Sequence, residues 1–435
     1  KVMTQARPHL LIKGAAIVGE GRQDLRITDG RISEMGNFQP NGNETVIEAD
    51  GLVLLPAFVD LHTHVREPGR EDAETIETAS RAAVIGGYSA ISPMANTHPV
   101  ADTAGVVEQV YRLGQQTGRV DLFPIGAVTK DLMGEQLSEM SAMAESEARV
   151  RIFSDDGKCV FDPLVMRRAL EYVKTFDGVI AQHAQEPRLT QGAQMNEGSV
   201  SAELGLTGWP AIAEESIIAR DILLAEHVGS RLHICHLTTA GGVELVRWAK
   251  SRGVRVTAEV TPHHLLLTDE MARGYDAVYK VNPPLRSHAD VLALRAGLID
   301  GTIDIVATDH APHPGEDKDC EWQSAAFGML GLETALGVVV QALTESGSRI
   351  DWKLIADRMA IAPARIAGYA EHGQSITVGS SANLVLVDPM SSRTVNRESM
   401  ASMSKNTPYD GMTLPTRITH TIYGGVVVME SGVAL

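Results

Sequence analysis

His62 and His64 close an apolar run from Leu52 to Val59 that reads as a buried strand. Residues two apart on a strand point to one side. Both imidazoles can therefore reach one point, as a transition-metal site requires. A lone His-x-His pair means little; what stands at later strand ends decides. The run from Val150 stops at Phe153-Ser154-Asp155-Asp156-Gly157, and the run from Gly178 stops at His183. The run from Arg231 ends at His236, and the run from Gly301 ends at Asp309-His310. Four histidines and two aspartates at the ends of five strands suit a hydrolase with two metal ions. Residue type alone does not choose between Asp155 and Asp156.

The elements that must position these residues follow a regular order. Eight strands are expected at 57–63, 87–94, 120–128, 150–155, 178–183, 231–237, 254–261 and 303–308. Helical spacing fills the gaps, as in 163–173, where Asp162 is the cap and Pro163 the first helical residue. Further helices are expected from Ala211 to Ala225 and from Gly242 to Ala249. Strand-then-helix units repeated eight times predict an α/β fold, a (β/α)8 TIM-like barrel. A doubly wound open sheet is the alternative. The barrel is preferred because only a closed ring brings the first, fourth, fifth, sixth and eighth strands to one mouth. Short strands with turn residues at 10–55 and again near 382–389 and 418–425 predict a small β domain built from both chain ends. The expected boundaries are 56–377 for the barrel and 1–55 together with 378–435 for the β domain.

Composition limits the setting. With 435 residues the chain can bury a barrel-sized core beside a smaller domain. A formal net charge of −17 argues against nucleic acid or an anionic membrane as partner. It does not argue against a small anionic substrate, because metal ions and a local arginine can reverse the field inside a pocket. No apolar run reaches membrane-spanning length, and no apolar core follows Lys1–Arg7 as in a signal peptide. Three cysteines, Cys159, Cys235 and Cys320, make no disulfide framework, and a cytoplasmic location is expected.

The motifs taken together resemble the cyclic amidohydrolases, and within them the dihydroorotase branch. The resemblance rests on Asp60-Leu61-His62-Thr63-His64-Val65-Arg66-Glu67-Pro68-Gly69, Asn96-Thr97-His98-Pro99, Phe153 to Gly157, and Thr261-Pro262-His263-His264. It also rests on Asn282-Pro283-Pro284-Leu285-Arg286, Ala307 to His313, Phe327-Gly328, Gly331 to Thr334, and Ser404-Lys405-Asn406-Thr407-Pro408. Ala57 stands where the family usually has glycine and Ala95 where it usually has proline; neither carries a functional group. The resemblance implies two zinc ions per chain, with His62 and His64 on the first and His183 and His236 on the second. It implies that Asp156 bridges them and that Asp309 is both ligand and catalytic base. It also implies that Arg66, Asn96 and His313, beside His64, hold a substrate carboxylate. Asn282 and the backbone of Phe327 and Gly328 would contact ring amide groups. The reaction implied is reversible hydrolysis of dihydroorotate to N-carbamoyl-aspartate, in pyrimidine synthesis.

Several residues have plainer readings. His233 alternates poorly with His236 and is read as structural, and the His263-His264 pair as a packing or supporting group, because the ligand set is filled without it. Asp60 is expected to support the ligands, and Cys235 to act as a small buried apolar residue. Residues 314–324 read equally as a lid or a surface loop. Hydantoinase, dihydropyrimidinase and allantoinase share the metal histidines but bridge their zincs with a carboxylated lysine. No lysine lies in 150–156; Lys130 precedes this stretch and Lys158 follows it. A non-catalytic partner of aspartate transcarbamoylase is the alternative from another class, marked by ligand loss, and no ligand is lost here. A homodimer and an association with aspartate transcarbamoylase are compatible with the resemblance.

Overall fold

The computed structural model describes residues 7–435, so Lys1–Ala6, the start of the expected leaderless N-terminus, lie outside the described residues. Five strands open the fold: β1 (Leu10–Ile17), β2 (Arg22–Thr28), β3 (Arg31–Gly36), β4 (Thr45–Glu48) and β5 (Val53–Pro56). Asp29 and Gly30 join β2 to β3 with φ of 52° and 78°. Two consecutive positive φ values make the turn whose twist matches an antiparallel pair.

The middle of the chain alternates strands and helices. Its main strands are β6 (Phe58–Thr63), β7 (Tyr88–Pro93), β8 (Asp121–Leu122), β9 (Ile152–Phe153) and β10 (Val179–Gln182). After a side pair, β11 (Met195–Asn196) and β12 (Gly208–Trp209), come β13 (Arg231–Ile234), β14 (Val256–Val260) and β15 (Ile305–Val306). All eight expected strands are present and pair in parallel, in the orders β6-β7-β8 and β9-β10-β13-β14-β15. Single parallel bridges, Gly126 to Phe153 and Thr63 to His310, connect the two ladders.

Several strands are shorter than the sequence suggests, and side chains account for it. The Asp304 carboxylate accepts from the Ala258 N–H, and Asp60 accepts from Thr308 N–H, so side chains take over part of the ladder around β15. The expected helices are found, at Pro163–Val173, Ala211–Val228 and Ala240–Ser251. Asp162 caps the first by accepting from Leu164 and Val165 N–H, with Pro163 at the first helical position.

The chain returns to the first sheet with β16 (Leu384–Thr394), β17 (Thr413–Tyr423), β18 (Val426–Glu430) and β19 (Val433–Ala434). β16 pairs antiparallel with β5, from Leu384 opposite Pro56 to Val387 opposite Val53. Both chain ends thus share one nine-stranded sheet. Leu10, Ile12, Leu25, Leu54, Leu384 and Leu386 form its core. A separate cluster, including Val59, Leu61, Ala90, Ile152, Val179, Ala181, Ile305 and Ala307, packs among the parallel strands and against Ala362–Ala367. The histidines therefore stand on a packed floor rather than over a channel. No helix among the described residues is long and apolar enough to cross a membrane.

Candidate active site

Six of the residues expected as ligands come together at the C-terminal ends of the parallel strands, and all are buried. His62, His64, Asp156 and Asp309 form one group; Asp156, His183 and His236 form the other. Asp156 belongs to both. Its Oδ2 lies 3.2 Å from His62 Nε2 and 3.3 Å from His64 Nε2. Its Oδ1 lies 3.1 Å from His183 Nδ1 and 3.2 Å from His236 Nε2. Asp309 Oδ1 stands 3.0 Å from His64 Nε2 and 3.2 Å from His62 Nε2.

Asp155 points elsewhere. It accepts from the N–H groups of Val128 and Thr129 and from the Thr129 hydroxyl, tying its loop to the preceding one. Lys130 and Lys158 are exposed.

Partners behind the histidines fix which nitrogen each presents. His62 Nδ1–H donates to Glu259, His64 Nδ1 meets Asn96 Oδ1 at 2.9 Å, and His183 Nε2 meets Gln185 Oε1 at 2.7 Å. His62 Nε2 is consequently aimed at two carboxylates and has no hydrogen-bond partner. A lone pair facing two buried carboxylates is unfavourable unless a proton or a metal ion stands between them. The electrostatics point the same way. Burial would lower the His62 pKa, but Asp156, Asp309 and Glu259 raise it well above the ordinary value. Burial would raise the carboxyl pKa of Asp156, but His62, His183 and His236 hold it well below the usual range. A metal set of carboxylate oxygens and imidazole nitrogens fits this orphaned atom and this charge balance.

Backbone strain collects at the same place. His236, Asp309 and Arg66 have φ of 27°, 49° and 61°, in the left-handed region that non-glycine residues rarely adopt. Such residues cost of order ~1–3 kcal/mol each and persist only where the surroundings hold them. Here Glu259 accepts from His236 N–H, and the His62 carbonyl accepts from Asp309 N–H.

The residues expected to bind substrate stand next to this cluster, Asn96 against His64 and Asn282 joined to His183 through Gln185. Arg66 Nε donates to the Pro312 carbonyl at 3.0 Å, and its Nη2 lies 3.3 Å from His313 Nε2. Burial lowers the Arg66 pKa to about 10, which leaves it cationic at neutral pH. Burial, then Arg66 and Lys318, push His313 down to about 3, so its ring is neutral, with Nε2–H donating to the Phe327 carbonyl at 2.9 Å. Asn282 Nδ2 reaches Gln185 Oε1 at 3.3 Å, while its Oδ1 is buried without a partner. Gly328 has its N–H bonded to the Lys280 carbonyl. Its φ is 148°, and a Cβ there would lie 2.8 Å from His313 Nε2. Glycine is required at this point by close approach.

Other residues fall behind the cluster. Asp60 accepts from the hydroxyls of Thr63 and Thr308. His233 spans Thr257 and Glu259, and His264 spans Thr261 and the Pro283 carbonyl. Cys235 is buried, close to His62 and Glu259. The 314–324 segment includes a short helix at Gly315–Lys318 and a buried Trp322, which accepts from Lys280 Nζ through its carbonyl. Sequence reasoning missed Glu259 and Gln185. The available signal for Glu259 was a lone acid inside an otherwise buried parallel strand.

The chain has relatives along its whole length. A family model described as dihydro-orotase-like matches residues 51–241. The dihydroorotase of Streptomyces coelicolor is 63% identical, over 97% of this chain and 98% of its own. The dihydroorotase of Leifsonia xyli subsp. xyli is 60% identical, over 98% and 97%. Among solved structures, the L-hydantoinase (dihydropyrimidinase) from Arthrobacter aurescens superposes with a TM-score of 0.87 at 25% identity, over 98% of this chain and 97% of that one.

Proposed function

The chain belongs to the dihydroorotase family, and on that premise we propose how the strand ends carry out the family reaction. The reaction is reversible hydrolysis of dihydroorotate to N-carbamoyl-aspartate, a step of pyrimidine synthesis. The parallel strands are read as one (β/α)8 barrel, supported by the bridges Gly126–Phe153 and Thr63–His310. Residues 56–377 are assigned to it, and 1–55 with 378–435 to the small β domain.

Two zinc ions would be held by His62, His64, Asp156 and Asp309 on one side and by Asp156, His183 and His236 on the other. When bound, they supply an acidified water and a Lewis acid for the ring carbonyl. One observation carries this reading: the two oxygens of Asp156 face two different histidine pairs. A carboxylate in that place takes the role that a carboxylated lysine has in the hydantoinase-type alternative.

Asp309 accepts the proton of the attacking water and returns it to the leaving ring nitrogen; in ring closure the same carboxyl starts protonated. Arg66 holds the substrate carboxylate with its terminal nitrogens, since its Nε is already given to Pro312. Asn96 serves the same carboxylate with its amide nitrogen, its oxygen being held by His64. His313 sets the position of Arg66. The unpartnered Oδ1 of Asn282 accepts from a ring N–H, and the Phe327-Gly328 backbone meets the ring amide groups through atoms other than the Gly328 N–H, which the Lys280 carbonyl already holds. The free cysteines Cys159, Cys235 and Cys320 suit a cytoplasmic setting.

The test is kcat/KM of zinc-loaded protein on dihydroorotate against hydantoin. A charge-assisted clamp on a buried carboxylate contributes ~2–5 kcal/mol, so a preference of at least ~30-fold for dihydroorotate is expected. Equal rates would favour the hydantoinase-type reading.

A further inference from the structure

The motif Ser404–Pro408 carries no ligand and no substrate contact, yet it crosses from the small β domain onto the barrel mouth. Ser404 Oγ donates to the Ala73 carbonyl and Ser402 Oγ to Glu74, which anchors the crossing. Next to them Asn406 is buried, with its side-chain amide bonded through both oxygen and nitrogen. Its Oδ1 accepts from His313 N–H at 3.1 Å. Its Nδ2 donates to the carbonyls of Ala311 at 3.0 Å and Gly328 at 3.3 Å. Its own carbonyl accepts from Leu330 N–H at 3.1 Å.

These bonds join two segments that otherwise touch through little backbone pairing. His310 and Met329 form a single parallel bridge, with Ala311 N–H donating to the Met329 carbonyl. Beyond that bridge the Asn406 amide stands in for the missing ladder. Together with the direct bond from His313 to the Phe327 carbonyl, it holds the spacing between 311–313 and 328–330. That spacing sets where Pro312 and His313 stand, and both contact the Arg66 guanidinium.

We propose that Asn406 is a positioning residue for carboxylate recognition, holding Pro312, His313 and Gly328 in the arrangement that aims Arg66 at the substrate. This rests on the assignment of Arg66 as the carboxylate clamp. A residue from the other domain thereby tunes substrate affinity without touching substrate.

The experiment compares zinc-loaded parent, Arg66→Ala, Asn406→Ala and Asn406→Asp for KM and kcat on dihydroorotate, with zinc content and thermal midpoint. Asn406→Asp keeps the shape and the acceptor for His313 but loses both donors, so it carries the reading should Asn406→Ala fail to fold. Both Asn406 variants should raise KM at least ~10-fold, with kcat within ~3-fold of parent and zinc content unchanged, the pattern of lost binding that is uniform between ground and transition states. If Arg66→Ala raises KM while the Asn406 variants match the parent, the inference fails and the clamp stands. If the Asn406 variants lose kcat and zinc together at unchanged KM, Asn406 is a structural support only, and the inference is again overturned. If Arg66→Ala leaves KM at the parent value, the clamp assignment itself fails, and the proposal with it.

Discussion

Replacing Glu259 should weaken zinc binding by an amount that depends on how many acceptors the replacement keeps. Glu259 Oε1 accepts from His62 Nδ1–H and, at 3.1 Å, from His236 N–H; Oε2 accepts from His233 Nε2–H at 2.9 Å. Glutamine keeps one oxygen. Turned toward His62 and His236, it places its NH2 against His233. That ring can change tautomer, because Thr257 Oγ1, 2.7 Å from Nδ1, serves as donor or acceptor. The loss then reduces to the charge on the hydrogen bond to His62. Bonds to charged groups contribute ~1.5–3 kcal/mol and neutral ones ~0.5–1.5. The difference of ~1–1.5 kcal/mol is about tenfold in affinity. Alanine removes every acceptor and leaves the buried His236 N–H unpaired, so ~10²-fold or more is expected. Competition for zinc against a chromophoric chelator at neutral pH measures both, with thermal midpoints of the metal-free proteins as a folding control. Parental affinity in both variants would refute the reasoning, because Glu259 would then merely fill space.

Other outcomes follow from the same geometry. Asp309→Asn should keep its zinc yet lose hydrolysis and ring closure by at least ~10²-fold, the scale of a positioned acid–base group. In the parent, lowering the pH should favour closure, since closure consumes a proton; rates in both directions across pH check this. Burial, helped by Lys280, lowers the Lys318 pKa from 10.5 to about 7. Folded protein therefore binds fewer protons than unfolded protein between about pH 7 and 10.5, and stability should rise with pH across that window. Each pH unit inside it adds at most ~1.4 kcal/mol. Urea midpoints from pH 7 to 9 should climb in the parent and flatten in Lys318→Met; identical slopes would place the proton elsewhere.

The candidate ligand cluster was legible because ligand chemistry and strand periodicity coincide. A histidine or aspartate at the end of an apolar run marks both a strand and its mouth, and such runs gave five of the eight parallel strands; the other three followed from apolar runs alone. Asp155 and Asp156 could not be separated by residue type, being adjacent acids after one strand. What separates them is Thr129, which sits in a different loop and takes Asp155 away from the histidines. Glu259 was hidden for a related reason. The conspicuous feature of its strand was the His263-His264 pair just beyond, and the partner that gives Glu259 its role, His62, lies 197 residues away. Strand lengths were overstated around β15, where the side chains of Asp60 and Asp304 replace ladder bonds. Asn406 shows the same limit. The motif around it was visible, but its reach across 93 residues to His313 depends on how the chain ends fold back.

Zinc-edge anomalous diffraction from crystals of the zinc-loaded protein tests the central claim most directly. Two peaks are expected, one among His62, His64, Asp156 and Asp309 and one among Asp156, His183 and His236, with Asp156 touching both. A zinc peak away from these residues, or a second metal bridged by a lysine, would contradict the account.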